Sequence, residues 1–298
     1  MSARKLEVSV ANKLMLSATI LSSLVVIAIA LVLLQKSTLI LTTHSLSELL
    51  LSSSWHPSQN EFGFYPYIVG TLWVTGLAMA ISTVPSLLMS IYLAEYARAR
   101  VRSIIKPMVD LLAGIPSVVY GLWALLLIVP LIRNQVAPLL GVTTTGYTVL
   151  TGGIVLAVMV TPITISVSEE VIRAVPQPIR EASIALGATR WQTVKHAVIR
   201  SAFPGIIAAI ILGFGRAFGE TIAVLMVVGN VAKVPVSVFD PGYPIPALIA
   251  NNYGEMMSIP SYESAFMFAA LLLLLIVLAF SIVAAVLLVG IKRRYAVG

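Results

Sequence analysis

Residues Leu14–Leu34, LMLSATILSSLVVIAIALVLL, run for 21 positions without a charge. At about 1.5 Å of rise per helical residue, that length crosses the roughly 30 Å hydrocarbon core of a bilayer. Working outward, five more charge-poor stretches follow: within Phe62–Ala94, Leu111–Ile132, Asn134–Ser168, Phe203–Val228 (which carries two charges) and Ser264–Ile291. The spacing predicts an all-α integral membrane protein with six transmembrane helices. Composition agrees: of 298 residues, 59% are hydrophobic and 10% charged, against about 45–50% and about 25% in soluble domains. Too few charges remain to coat a soluble globular enzyme, and the chain is far too apolar to be disordered. Cysteine is absent, which removes disulfides, thiolate metal sites and cysteine nucleophiles.

The net charge of +7 is explained by where the Lys and Arg residues lie. Arg4, Lys5 and Lys13 precede the first span; Arg98, Arg100, Arg102 and Lys106 follow the second; Arg173, Arg180, Arg190, Lys195 and Arg200 follow the fourth; Lys292, Arg293 and Arg294 follow the sixth. The opposite side holds only Lys36, Arg133 and Lys233. Positive residues accumulate on the cytoplasmic side, so both termini are expected there, in a plasma or inner membrane. The first span is read as retained, because its apolar run is too long for a signal-peptide core. Few aromatics interleave with the basic residues, which argues against a nucleic-acid surface.

Two outer segments, Gln35–Tyr65 and Gly229–Glu263, contain turn-rich clusters, His56-Pro57-Ser58-Gln59-Asn60 and Asp240-Pro241-Gly242-Tyr243-Pro244. They either cap a cavity, meet a partner, or are plain connectors. The cytoplasmic segment Glu169–Ala202 is patterned rather than flexible. Pro176 and Pro178 are expected to end one helix and Glu181 to open another. The latter is amphipathic through Ile184, Leu186, Ala188, Trp191, Val194 and Val198, and is interrupted by Gly187. Pro85, Pro116 and Pro162 predict kinks in spans two to four. Asp110 is expected at the cytoplasmic end of span three, with Lys106 as a structural partner.

Arg216 lies thirteen residues beyond Phe203, about 20 Å along a helix and so near the bilayer midplane. A charge there costs at least about 2.5 kcal/mol and should face protein or water. Glu220 follows at i+4, on the same face of a continuous helix. Two readings stand side by side: a self-neutralising pair that locks packing, or an anion checkpoint in which the Arg fork matches phosphate or sulfate oxygens. In the second, Glu220 orients Arg216 and accepts a hydrogen bond from a protonated phosphate, a donor that sulfate lacks at neutral pH. Gly213, Gly215 and Gly219 flank the pair, for helix packing or close approach of a ligand.

Glu181-Ala182-Ser183 followed by Gly187 resembles the EAA loop of ABC importer permeases, although the residues further on (Ala197, Ile199, Arg200, then Pro204) depart from that pattern. Gly114-Ile115-Pro116-Ser117-Val118-Val119-Tyr120-Gly121-Leu122-Trp123 and Gly215-Arg216-Ala217-Phe218-Gly219-Glu220-Thr221 resemble spans of the permeases of high-affinity phosphate importers. Phe239-Asp240-Pro241-Gly242 with Ala247-Leu248-Ile249-Ala250-Asn251 is similar to the PstC-type subunit of that branch. The resemblance covers most of Tyr67–Arg294. It implies a type I ABC importer permease, with residues 1–66 as a tail, first helix and outer loop and 67–294 as the transmembrane domain, coupling loop 169–202 included. It implies a substrate path through Arg216, Glu220 and Thr221, and coupling to the ATPase through Glu181, Ala182, Ser183, Gly187 and Arg190. The implied partners are a second homologous permease subunit, two ATP-binding subunits and an extracytoplasmic phosphate-binding protein. No cofactor is expected in this chain: it has no G-x-x-x-x-G-K-[ST] motif, so ATP and Mg belong to the partner ATPase. Its three histidines, His44, His56 and His196, cannot converge on a metal. Alternatives are a permease for sulfate or molybdate, or a scaffold without a conduit.

Overall fold

A computed structural model describes residues 3–254 and 259–296, with side chains for 11–254 and 259–290. Six described helices have the length and apolarity to cross a membrane: Ala11–Lys36, Tyr65–Tyr96, Ser117–Leu139, Val149–Arg173, Arg190–Gly219 and Pro260–Gly290. Six spans were expected, and each expected range overlaps one of these helices, the fifth least closely. The side chains of Arg4, Lys5, Lys292, Arg293 and Arg294, part of the charge asymmetry, lie outside the described ones.

Span four is the most buried of the six. It packs chiefly against spans two and five. Inside a bilayer lipid tails are as apolar as leucine, so helices associate through close packing at small residues. Gly153 supplies one such contact. A Cβ there would lie 2.8 Å from Leu77 Cδ2 of span two. Gly213 supplies another, where a Cβ would meet Thr164 Oγ1 at 2.8 Å and Val160 Cγ1 at 3.0 Å. By contrast the described part of span one is exposed along nearly its whole length and lies chiefly against span six and the start of the outer segment.

Prolines shape these helices in two different ways. Pro85 and Pro162 sit inside spans two and four. Pro116 instead caps the helix Ser117–Trp123 and separates it from the preceding helix Ala99–Gly114, so it starts span three rather than kinking it. Further along span three, Pro130 and Pro138 cannot donate backbone hydrogen bonds. Two widened turns, Ala124–Ile128 and Ile132–Val136, precede them.

The outer segments are not plain connectors. Gln35–Tyr65 forms short helices Thr38–Thr43 and Leu46–Leu51 and a hairpin pairing Trp55 with Phe62 and His56 with Glu61. In that hairpin the Ser54 hydroxyl, and after it His56, hold the Glu61 carboxyl below the usual carboxylate range. The second segment contributes the helix Ile245–Asn252. Together they close a separate apolar core around Leu49, Phe64, Tyr67, Ile245, Leu248 and Phe268. Trp55 meets Phe62, Phe64 and Tyr67 edge-on at centroid distances of 5.7, 5.3 and 5.1 Å. The expected boundary at residue 66 therefore crosses a packed unit.

The two glycines on opposite faces of span five make a test. Gly213→Val should destabilise the purified chain by roughly 1–3 kcal/mol through overpacking against Thr164 and Val160. Gly215→Ala meets nothing within 4 Å and should leave thermal unfolding in detergent unchanged or raised. Equal melting of both variants would contradict this packing.

Candidate functional site

The first site is built at the end of the molecule where the basic residues collect. Span two ends in a wide turn, Tyr92–Tyr96, which presents Glu95. Span four ends at Arg173, and Pro176 then opens a short helix, Gln177–Ala185, with Pro178 in its first turn. The prolines thus begin this helix instead of ending one, because a proline in the first turn forfeits no helical hydrogen bond. Glu181 is its fifth residue and does not open it. The helix stops at Gly187, whose φ of +84° is the left-handed conformation that glycine adopts without strain. Ala188 N donates to Ser183 O and Gly187 N to Ile184 O, at 3.3 and 2.9 Å. These two bonds satisfy the last carbonyls of the helix. Thr189 then caps the next helix through a reciprocal pair with Gln192.

Arg180 fixes this loop to the membrane helices. Its guanidinium donates to Glu95 Oε1 at 2.7 Å from Nη2 and 3.2 Å from Nε. It also donates to Ile172 O in the last turn of span four, at 3.0 Å, and to Val175 O just beyond it. A second cluster lies beside it. Glu169, 3% exposed, faces Arg173 at 3.3 Å, Lys106 at 3.5 Å and Arg102 at 3.9 Å. Arg102 in turn donates to Leu93 O and Ala94 O near the end of span two. Spans two and four are joined here by arginines that cap carbonyls and pair with carboxylates in one move. Lys106 is therefore taken by Glu169 and Glu170, and Asp110 accepts from Ser166 Oγ at 3.3 Å, not from Lys106.

Of the residues expected to face the ATPase, Glu181 and Ala182 are exposed and Gly187 makes the turn. Ser183 points back, 3.0 Å from Thr193 Oγ1. Arg190 also points back: it donates to Glu95 O and lies 4.9 Å from the centre of the Tyr96 ring. Large apolar side chains also project outward: Leu186 at 89% exposure, with Ile184 and Trp191 beside it. Arg180 and Glu95 carry the attachment and were not singled out from the sequence. Glu95 is 85 residues away, and no spacing rule links them.

The second site is a break in span five. The helix Ile199–Gly219 stops there, Glu220 is extended (φ −72°, ψ 124°), and a short helix Ile222–Leu225 follows. The expected continuous helix through Val228 is therefore wrong, and Arg216 and Glu220 do not share a helix face. They form no ion pair with each other among the described residues. Gly213 rests on Val160 and Thr164 at the middle of span four, so Arg216, one turn further on, sits near mid-depth. Arg216 is exposed on the face that also carries Gly215 and Gly219, neither of which has anything within 4 Å of a Cβ position. It lies within electrostatic reach of the Tyr120 phenol. Glu220 turns the other way, into a small internal cavity with Thr71, Thr75 and Val224. There its Oε1 accepts from Ala223 N at 3.3 Å, capping the short helix. Thr221 Oγ1 donates to Gly219 O at 3.3 Å. The break is thus stitched by its own side chains, as irregular backbone at membrane depth must be. Among the described residues, no three His, Asp or Glu side chains group to hold a metal.

Comparison with known proteins places this arrangement. The family described as binding-protein-dependent transport system inner membrane component matches residues 86–296. The phosphate transport system permease protein PstC of Xylella fastidiosa is 35% identical over 257 residues, 82% of this chain and 79% of that one. A probable phosphate transport system permease protein PstC of Methanocaldococcus jannaschii is 33% identical over 79% of each chain. The probable ABC transporter permease protein YqgH of Bacillus subtilis is 38% identical over 70% of this chain and 66% of its own. Among solved structures, an inward-facing MetNI methionine ABC transporter chain superposes with a TM-score of 0.55 at 16% identity, covering 80% of this chain and 99% of that one. That likeness concerns the fold alone.

The Arg180–Glu95 pair, 15% and 11% exposed, yields a direct test. Removing either partner leaves the other buried and unpaired, at a cost of about 3 kcal/mol. Arg180→Ala and Glu95→Ala should both speed amide exchange across Gln177–Ala188. Arg180→Lys should recover only part, since an ammonium lacks the planar fork that reaches carboxylate and carbonyls together. Unchanged exchange in both alanine variants would refute the anchoring role.

Proposed function

The chain belongs to the family of binding-protein-dependent transport system inner membrane components, and on that footing we propose that it forms half of the translocation path of an ATP-driven importer of inorganic phosphate. It is a membrane transport component and not an enzyme. The other half of the path is a second, homologous permease subunit. Two ATP-binding subunits supply ATP and Mg on the cytoplasmic side, and an extracytoplasmic binding protein delivers phosphate to the outer cap. Both termini and the loop 169–202 face the cytoplasm, in keeping with the Lys and Arg distribution.

The observation that carries the reading is Arg216: a guanidinium without an ion-pair partner among the described residues, near mid-depth, exposed beside two glycines whose open face leaves room for a ligand or a neighbouring helix. An uncompensated charge at that depth is costly unless it meets water, an anion or another subunit. A tetrahedral oxyanion meets its donors bidentately. Glu220 and Thr221 serve the path by capping the broken helix that presents Arg216; discontinuous helices recur at transporter sites for this reason. At the cytoplasmic end Glu181, Ala182 and the turn at Gly187 present Leu186, Ile184 and Trp191 to the ATPase. Ser183 and Arg190 brace that surface from behind, and Arg180 passes its displacement to spans two and four.

In cells lacking this chain but holding its partners, the wild type should restore labelled phosphate uptake that excess sulfate does not suppress. Arg216→Gln should lower the rate roughly 10- to 100-fold, the value of a lost charge-assisted contact. Absence of phosphate uptake with the wild type would overturn the substrate assignment. Separately, Leu186→Asp should leave the chain in the membrane yet abolish co-purification of the ATPase subunits; retained co-purification would place the docking surface elsewhere.

A further inference from the structure

Beyond the break in span five, at the outer end of the bundle, lies an open cavity of about 650 Å³ lined by Arg133, Thr145, Tyr147, Met226, Asn230 and their neighbours. We infer that this cavity is an entry station for the oxyanion, a second site at which Arg133 receives phosphate before it reaches Arg216. The inference rests on the phosphate-importer reading and adds a site to it.

The chemistry of the lining is one-sided. Arg133 is its single cation, and no carboxylate lines it. Arg133, Thr145 and Tyr147 are exposed on the cavity wall with no ion pair or side-chain hydrogen bond among the described residues, whereas the neighbouring Thr144 hydroxyl is engaged by Phe239 O and Gly146 N. Nearby Asp240 is occupied, its Oδ2 accepting from Val236 N and Ser237 N at 2.9 Å each. A guanidinium and two hydroxyl donors around an open cavity suit a tetrahedral oxyanion, which offers acceptors in every direction.

The walls are built rather than loose. Arg133 stands in the widened turn Ile132–Val136 of span three. Gly146, at φ +85°, is packed so tightly there that a Cβ would lie 2.4 Å from Val129 O and 3.1 Å from Arg133 Cβ. Across the cavity Gly229 (φ +98°) and Asn230 (φ +52°) turn the chain. Gly242 N donates to Val228 O at 2.9 Å, and Asn230 Nδ2 to Leu225 O at 2.8 Å. Leu225 and Met226 line the cavity and close the short helix that starts just after Glu220 and Thr221. The cavity wall is thus one short helix removed in the chain from the break that follows Arg216. A cation at the mouth concentrates an anion released by a binding protein and shortens its search for the inner site.

The absence of cysteine from the chain makes a thiol test specific. Arg133→Cys, expressed with all partners, should lower phosphate uptake about tenfold. A cationic methanethiosulfonate should restore most of it and an anionic one of similar size should not. In the assembled transporter, Thr145→Cys should react more slowly with a thiol reagent when phosphate-loaded binding protein is present, and at the unchanged rate with sulfate. Four outcomes overturn the proposal: full uptake by Arg133→Cys; rescue by neither reagent together with lost binding-protein association, which makes Arg133 a docking residue; slowing of Thr145→Cys labelling by anionic lipid and not by phosphate, which makes the cavity a headgroup site; and failure of the wild type to take up phosphate. The last also removes the functional reading, whereas the first three leave it standing.

Discussion

Water is missing from the hydrocarbon core, so every backbone polar group at that depth has to find its partner within the protein. Six long helices solve this for most of the chain. The cost falls where a helix must stop inside the membrane, between Gly219 and Ile222. There the free groups are met locally: Glu220 takes the amide of Ala223, and Thr221 covers the carbonyl of Gly219. Asn230 performs the same service for Leu225 at the far end of the short helix. Because these caps are side chains of the broken segment itself, the neighbouring surface is left free, and Arg216 stands on it.

The opposite end of the bundle obeys the same constraint with different residues. The terminal carbonyls of spans two and four are met by Arg102 and Arg180, and each arginine has a carboxylate within 4 Å, Glu169 and Glu95. Capping and ion pairing are thereby combined in one side chain. The loop is thereby fastened to both spans, while its apolar tip at Leu186 stays outside. Span four, to which the loop is fastened, is packed at its middle against span five, where Gly213 is seated against Val160 and Thr164. The path from loop to break is a chain of close packings with little slack, because small residues let the backbones approach.

Much of this was legible in the residues. Charge-free length fixes the number of spans, since only a helix satisfies a lipid-embedded backbone. The Lys and Arg asymmetry marks which loops share a side, and the structure brings Arg102, Lys106, Arg173, Arg180 and Arg190 to one end. The Gly187 turn and the mid-depth Arg216 were also readable, the first from glycine's backbone freedom and the second from distance along a helix. Other features were misread for identifiable reasons. A continuous helix from Phe203 to Val228 was expected because the stretch is apolar, yet Gly219 and a capping glutamate lie where it breaks. The prolines at 176 and 178 look like terminators, but proline suits a first turn as well as it ends a helix. Arg190 looks like a free cation until Glu95 and Tyr96 are placed beside it.

The sequence by itself therefore determined what the solvent demands: a membrane chain, six crossings, a basic side and a patterned loop, all properties of residues near one another in the chain. Only the tertiary structure decided which way each polar side chain turns. Arg216 faces out and Glu220 faces in because the helix ends between them. Arg180 meets Glu95, and Arg133 meets an open cavity beside Tyr147, through contacts that join distant parts of the chain. Such pairings depend on where helices cross, and crossing is set by packing at glycines and not by any local pattern.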